Sequence, residues 1–303
     1  MKYTILMMCA AVAAWGQAPA PKLTCDGPLP ANDGLFPYCE MRETSAPFTG
    51  SLAVNTGGSG DVLVQSWDGT DVLVRSRVLT SAETTSLAVM VAALVNLNTA
   101  DSKVTGNGPV SNTHQTWSLG LEIYVPRKLD LSVTTLNGNV SVQDLEDPSG
   151  ITLTTLNGNV SATGVVGPVE LRTTNGNIVT AGVQGRIQFN SINGKVSLTG
   201  VAGDVEGSGV NGSILVAADH WVGETFDVKT VNGAIELDVP SDCSAHAELS
   251  TVVGAISTNV LVPASKPAKP GALGKSLSFD IGGGGPLIRA TLVVGTIKLT
   301  LLD

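Results

Sequence analysis

The sequence has little charge and few aromatic side chains. Charged residues make up 14% of its 303 positions and aromatic residues 4%, whereas 35 positions are glycine. Long helices with salt-bridged faces need far more charge than this, so the composition argues against a helical protein. Because valine, threonine, serine and glycine are abundant instead, we expect β-structure, in one elongated domain rather than two.

Basic clusters are also missing. The chain carries 17 Lys and Arg against 26 Asp and Glu, which gives a net charge of −9, and its few basic residues are scattered. Nucleic acids and anionic membranes attract proteins through basic patches. The sequence therefore predicts no nucleic-acid partner.

Long hydrophobic runs are absent after the N-terminus. The apolar stretch 87–97 is too short to cross a membrane, so we expect no transmembrane span in the mature chain. Residues 1–16 combine Lys2, an apolar core over 5–14 and the small residue Gly16, which is the pattern of a secretory signal. We therefore expect an exported protein, either periplasmic, on the cell surface or extracellular.

Cysteine is scarce as well. Cys25, Cys39 and Cys243 follow the predicted signal, and no CxxC spacing suggests a metal site. Export permits disulfides, and Cys25 and Cys39 bracket a loop rich in proline and glycine. We predict that these two cysteines are bridged, which leaves Cys243 as a buried or free thiol.

What the sequence has in quantity is a repeat. Asn-Gly pairs recur at spacings of 20, 18, 18, 18 and 21 residues, and a period of this size indicates a solenoid or an array. The six pairs of this repeat are Asn137-Gly138, Asn157-Gly158, Asn175-Gly176, Asn193-Gly194, Asn211-Gly212 and Asn232-Gly233.

Alignment of the copies on Asn-Gly places apolar residues in five columns. Polar residues separate most of them, which is the alternation of half-buried strands, two to each copy. The columns are Leu131, Ile151, Val169 and Ile187; Val133, Leu153, Leu171 and Phe189; Leu136, Leu156, Thr174 and Ile192; Val140, Val160, Ile178 and Val196; and Leu145, Val165, Val183 and Val201.

Two architectures fit this pattern. Asn-Gly between strands is a strong hairpin signal, and a meander of hairpins would put Leu136 on the polar face. Glycine and asparagine also suit the corners of a coil that keeps winding, in which case we expect the Leu136 column to point inward. The nearly constant step favours a β-solenoid of 18–21 residues per coil. Its asparagine column is then structural, made of stacked amides that close backbone hydrogen bonds at a corner.

The flanking segments predict a three-part chain. After the signal over residues 1–16, residues 17–49 form a polar leader and N-terminal cap, and residues 50–303 form the repeat domain. A short helix near residues 80–96, beginning with a capping box at Thr80 and Glu83, would plug the open end of the coil.

The repeat phrases resemble those of a family of bacterial exported proteins called putative adhesins, a domain of unknown function. This resemblance covers about residues 50–302 and implies a β-solenoid that is exported and surface-associated. It brings no catalytic residues, and the segment from Cys25 to Cys39 departs from the family pattern. The phrases that carry it are TTLNGNV, TTNGNI, TVNGAI, GDVLVQSWDGTDVLV, VPRKLDLSV and GGGGPLIRATLVVGTIKL.

Residues with catalytic chemistry form no recognisable set. The most site-like cluster is one loop with His220, Trp221 and Glu224, and no motif calls for a cofactor or a metal. Glycoside hydrolysis needs two facing carboxylates, and no column pairs the available acids. Those acids are Asp204, Glu206, Asp219, Glu224, Asp227, Glu236 and Asp238.

Three hypotheses on function follow. The first is an exported, non-enzymatic adhesin or envelope scaffold that binds a glycan or another surface component. The second is a carbohydrate-active β-helix enzyme, either a polysaccharide lyase or a glycosidase. The third is a lectin-like glycan binder with its site near Trp221. A rigid rod with polar outer ladders favours the first.

Overall fold

The computed structural model describes residues 23–26, 29, 34–221, 223–261 and 274–302, so the predicted signal over 1–16 lies outside the described residues. The described part contains 21 strands and one short helix. They are β1 (Phe36–Ala46), β2 (Ser51–Asn55), β3 (Val62–Ser66), β4 (Val72–Ala82), α1 (Thr85–Leu94), β5 (Asn96–Asn98), β6 (Lys103–Asn107), β7 (Gln115–Val125), β8 (Asp130–Asn137), β9 (Val140–Gln143), β10 (Ile151–Asn157), β11 (Val160–Thr163), β12 (Val169–Asn175), β13 (Ile178–Ala181), β14 (Ile187–Asn193), β15 (Val196–Val201), β16 (Val205–Asn211), β17 (Ile214–Ala218), β18 (Phe226–Pro240), β19 (Ala245–Thr258), β20 (Lys275–Ile281) and β21 (Leu287–Leu302).

The repeats wind into a parallel β-solenoid. Strands β8, β10, β12, β14 and β16 stack in parallel to form wall 1, and β9, β11, β13, β15 and β17 form wall 2. Single bridges through Glu146, Val166 and Gln184 close a narrow third side. Equivalent residues pair directly, as Asn137 does with Asn157. The solenoid prediction is confirmed, and the hairpin meander is wrong because strands joined by Asn-Gly lie on different walls.

The two ends of the stack do not follow the order of the chain. At one end, the coil made of β2 and β3 lies between β6 and β7 on one side and β8 and β9 on the other. At the other end, β21 runs parallel between β18 and β19, so the last described strand is an interior rung. Strand β20 then pairs antiparallel with the first half of β19.

The predicted helix covers the N-terminal end of the core. Strand β4 pairs antiparallel with β7 and β1 with β4, and α1 packs on these strands through Ala88, Val91 and Ala92. No helix among the described residues is long and apolar enough to cross a membrane. The helix α1 therefore packs on strands β1, β4 and β7 through a small apolar face.

The start of α1 differs from the predicted capping box. The N-cap is Thr84, whose hydroxyl accepts the amide of Leu87 at 3.1 Å. Thr80 lies in β4 instead, and its hydroxyl donates to the carbonyl of Ala88 at 2.8 Å. Strand β4 extends to Ala82 because it pairs with β1 and β7 as far as that residue. Thr80 therefore lies within the strand and connects it to the helix, and the helix does not begin there.

Four of the five predicted apolar columns are buried, and the third is not. Leu136, Leu156 and Ile192 are 50%, 41% and 41% exposed. Our expectation that this column points inward is wrong because the strand alternation runs on to the preceding residue. That residue is Thr135 in the first repeat, which is 3% exposed, so Leu136 falls on the outside just before the corner.

A column of buried hydroxyls therefore lines the inside of this corner. Thr155 donates to the carbonyl of Gly138 in the previous coil at 2.9 Å, and Thr173 donates to Gly158 at the same distance. Ser191 holds the equivalent place, but its hydroxyl has no hydrogen-bond partner among the described residues. The threonines tie each strand to the corner of the neighbouring coil.

We expect Thr155→Val to lower the free energy of unfolding by about 1–2 kcal/mol, because it keeps the shape and removes a buried hydrogen bond. Ser191→Ala is the matched control, and we expect a change within roughly 0.5 kcal/mol since no bond is lost. Urea unfolding measures both. Equal effects of the two substitutions would show that the hydroxyl column does not stabilise the corner.

The corner itself requires glycine. Gly158 has φ +159°, and a Cβ built on it would overlap the carbonyl oxygen of Gly138 in the coil below. A Cβ on Gly176 would overlap the carbonyl oxygen of Gly158 in the same way, so the backbone of each corner lies in direct contact with that of the previous corner. Both the backbone conformation and the close approach exclude a side chain.

Gly158→Ala should therefore destabilise the fold by about 2 kcal/mol or more, through backbone strain and a forced separation of two coils. Thermal unfolding monitored by circular dichroism measures the loss. Gly58→Ala serves as the control, because a Cβ there meets no atom within 4 Å and its φ is not positive. A wild-type melting temperature for Gly158→Ala would contradict the requirement.

The predicted disulfide is confirmed. Cys25 and Cys39 are bonded with their Cα atoms 5.7 Å apart, and Cys243 is a buried free thiol. The bridge holds the leader against the outer face of β4 and β7, where the amide of Leu23 donates to the buried carboxylate of Glu122 at 3.3 Å.

Burial raises the pKa of the Cys243 thiol to about 11, and the nearby charge of Asp242 adds to the rise. The thiol therefore stays protonated below that pH, and we expect almost no reaction with a thiol reagent at about pH 8 while the protein is folded. After denaturation without reductant, the mature chain should react with the reagent at one thiol, that of Cys243. Three reactive thiols would contradict the bridge.

Candidate functional site

The candidate site is a groove on the outer face of wall 1. It crosses β12, β14, β16 and β18, encloses about 540 Å³ and runs along the axis of the solenoid. Alternation within each strand points every second side chain outward, and the parallel register aligns those side chains in two rows. The first row is Glu170, Gln188, Glu206 and Asp227, and the second is Arg172, Asn190, Ser208 and Lys229.

Small residues on β16 shape the groove. Gly207 takes a position of the inner apolar column, and the ring of Phe189 fills the space that a Cβ on Gly207 would need. Ser208, next to it, contributes only a short outward side chain. The longer side chains of the neighbouring strands therefore stand above this strand and form the sides of the groove.

The charges in the groove are neutralised in pairs. Arg172 pairs with Glu170, and Arg186 with Glu206. Lys229 lies 3.2 Å from one oxygen of Asp227, and Arg289 lies 3.6 Å from the other. Each of the three carboxylates that line the groove therefore has a cation beside it.

Glu206 shows the consequence for chemistry. Hydrogen bonds from Arg186 first, and from Gln188 second, lower the pKa of its carboxyl. A glycosidase needs one carboxylic acid that keeps its proton until it protonates the leaving group. Glu206 has the opposite arrangement, because its hydrogen bonds favour the ionised carboxylate.

Two of the acids suggested by the sequence, Glu206 and Asp227, are neighbours in one row of the groove, so our expectation that no column pairs the acids is wrong. Glu206 and Asp227 reach the groove, but Glu236 pairs with Lys298 on wall 2 at 2.7 Å. Asp204 accepts the amide of Thr225 at 2.8 Å. Among the described residues, no group of three or more His, Cys, Asp or Glu is placed to hold a metal ion.

The loop with His220, Trp221 and Glu224 also spreads its side chains. Trp221 donates to the carbonyl of Ser244 at 3.2 Å and meets the ring of Phe226 edge-on, with the centroids 5.2 Å apart. Glu224 is buried, and His220 is exposed. The indole is part of the packing at this end, and a ligand role for the loop stays a prediction.

One hydrogen-bonded set was missed by sequence reasoning. The Oγ of Ser278 lies 3.2 Å from Nε2 of His246, and Nδ1 of His246 lies 2.6 Å from a carboxylate oxygen of Asp280. These residues come from β19 and β20, which pair antiparallel, and His246 and Ser278 are 32 positions apart in the chain. Only the pairing of the two strands brings them together, so no local motif could reveal the set.

This Ser-His-Asp set has the order of a catalytic triad without its setting. It stands on the open outer face of the sheet, where the Asp280 side chain is 63% exposed. Acyl transfer also needs donors aimed at the developing oxyanion. Arg289, the neighbouring cation, is already held by Glu248 at 2.9 Å and by Asp227. We interpret the set as part of a surface hydrogen-bond network.

The corner asparagines bond to one another. The amide nitrogen of Asn157 donates to the side-chain oxygen of Asn137 at 2.7 Å, and the pattern continues to Asn232 at distances up to 3.1 Å. The intermediate members are Asn175, Asn193 and Asn211. Each intermediate amide thus donates one N–H to the asparagine of the preceding rung and accepts a hydrogen bond from that of the following rung, which leaves little capacity for a ligand.

The chain belongs to the Toastrack DUF4097 family, whose model matches residues 95–271. This family is uncharacterised and includes proteins called putative adhesins, as the repeat phrases indicated. No curated protein matches the sequence.

The chain is also similar to several solved structures. A putative adhesin from Bacteroides fragilis is 13% identical with a TM-score of 0.48, over 87% of this chain and 97% of that one. A putative adhesin from Parabacteroides merdae is 12% identical with a TM-score of 0.45, over 87% and 97%. A putative lipid binding protein from Parabacteroides distasonis is 13% identical with a TM-score of 0.42, over 86% and 96%. Similarity at this level carries no argument about function.

Proposed function

We propose that the protein is an exported, non-enzymatic rod that binds an extended glycan of the cell surface or envelope in the groove on wall 1. The observation that carries this proposal is the pair of aligned polar rows. The rows repeat at the spacing of parallel strands, roughly 4.8 Å, along the axis of the rod. An extended chain lying along the axis meets a similar set of groups at every rung.

The amides of the groove are suited to sugar hydroxyls. Gln188 donates through its nitrogen to Glu206 at 3.4 Å, and Asn190 donates to Ser208 at 3.1 Å. Each amide oxygen can accept a further hydrogen bond, and the paired carboxylates and cations on either side can both accept and donate. Because three acids and two bases line the groove, we propose a neutral glycan in preference to a strongly charged one.

Export and domain organisation belong to the same proposal. A disulfide persists in oxidising compartments, which supports export by the predicted signal over residues 1–16. We propose that residues 17–49 are a leader that caps the rod and that residues 50–303 are the binding domain. Strand β1 of the leader extends the sheet at β4, which fits a capping role.

Binding tests the proposal directly. We expect the mature protein to bind a neutral polysaccharide in a screen by calorimetry, and the variant with Gln188→Ala and Asn190→Ala to bind at least about tenfold more weakly, since each amide is worth about 1 kcal/mol. Ser197→Ala, on wall 2 of the same coil, is the matched control and should bind normally.

Two outcomes would contradict this assignment. Unchanged binding in the groove variant, together with loss in His220→Ala, would move the site to the loop near Trp221 and favour the lectin-like alternative. Turnover of a polysaccharide or an ester that disappears in Glu224→Gln, Asp227→Asn or Ser278→Ala would establish an enzyme.

A further inference from the structure

An exposed apolar stripe runs along the corner of the solenoid. It consists of the residue that precedes the corner asparagine, or its equivalent, in eight stacked coils. Seven of the eight are aliphatic, and each of these is between 39% and 50% exposed. In spatial order, this corner stripe is Leu136, Leu156, Thr174, Ile192, Val210, Val231, Val293 and Val252.

The fold itself does not need apolar residues there. The inward position of the same corner belongs to hydroxyl side chains such as Thr173, and the stripe accepts Thr174 in one coil. Polar side chains at the other seven places would fit equally well and would keep the surface soluble. A contiguous apolar strip that packing does not explain marks an interaction surface.

The spacing of the stripe restricts its partner. Successive side chains lie one interstrand distance apart, roughly 4.8 Å, so eight rungs extend over roughly 34 Å. A helix or an irregular loop would lose register with this spacing after one or two rungs. A partner with the same repeat keeps contact throughout, and a second copy of this chain has that repeat.

The sizes of the side chains favour an antiparallel arrangement. The first four rungs carry Leu, Leu, Thr and Ile, and the last four carry only Val. A two-fold axis perpendicular to the rod reverses one copy, so larger side chains in one half meet valines in the other. Ile192 then faces Val210 of the other copy at the centre, and Leu156 faces Val293.

Charge does not oppose this contact, although the chain has a net charge of −9. The stripe is uncharged, and it is flanked by the neutral asparagine ladder that begins at Asn137. On its other side the nearest charges are Arg172 and Lys229, which are already paired with Glu170 and Asp227. The stripe itself therefore brings no charge into the contact, and the exposed Lys195 lies beyond the asparagine ladder at the edge of the corner.

We propose that two copies of this protein associate corner to corner in antiparallel orientation through the corner stripe. The contact is long but narrow, so it falls below the roughly 800 Å² per partner of a standard stable interface. The dimer is therefore weak and reversible, and it gains importance where many copies are held close together on a surface.

Sedimentation equilibrium of the oxidised mature protein, from about 1 µM to about 1 mM, tests the association. We expect a concentration-dependent dimer, and Ile192→Glu should weaken it by about tenfold or more, because it places a charge at the centre of the contact. Val179→Glu is the matched control. Val179 is an equally exposed aliphatic residue, 45%, but it lies on wall 2, away from the stripe.

A mixing experiment tests the orientation. The Ile192→Glu variant alone and the Val210→Lys variant alone should each be monomeric. An equimolar mixture of the two should form a heterodimer, because the glutamate at position 192 of one copy faces the lysine at position 210 of the other. Thermal melts confirm that both variants fold.

A wild-type protein that is monomeric throughout this range, or a dimer that Ile192→Glu leaves intact, would overturn the proposal. Failure of the mixture to recover would overturn the antiparallel orientation. Binding of neutral phosphatidylcholine vesicles that Ile192→Glu abolishes, with no dimer in solution, would assign the stripe to a lipid surface instead.

Discussion

The close contact between successive corner glycines is the constraint on which the rest of the structure depends. The backbone of Gly176 rests on that of Gly158, which rests on Gly138, without room for a single Cβ. This contact sets the vertical spacing of the coils at the corner. Parallel hydrogen bonding, the inner apolar columns and the outer rows all require that spacing, so one backbone contact repeated at each turn keeps many side chains in register.

Because equivalent residues of successive coils stack directly, the inward-facing and outward-facing side chains form two different kinds of surface. Inside, identical positions stack valine, leucine and isoleucine into a continuous core. Outside, the same stacking lines up hydroxyls, amides and ion pairs on wall 1, and aliphatic residues along one corner. A rod of this kind presents linear arrays and not a single cleft, which suits extended partners better than small substrates.

The sequence predicted what depends on periodicity and missed what depends on strand pairing between distant segments. The spacing of Asn-Gly was sufficient for the solenoid, because only parallel stacking keeps such columns aligned. The spacing could not predict that Leu136 faces solvent. The strand continues through Thr135, and the alternation then directs the Leu136 side chain outward. Nor could the spacing join Ser278 to His246, or insert β21 between β18 and β19, because those pairings follow no repeat.

The insertion of β21 has a consequence for how the rod is made. Strand β19 has no place on the stack until β21, synthesised after it, has paired with β18. The coils formed by β18 and β19 therefore cannot close until β21 is available to pair with both, and this long-range pairing is slow to form. Once formed, this pairing holds β21 between two neighbouring strands, and a chain that lacks β21 would keep exposed strand edges that invite aggregation.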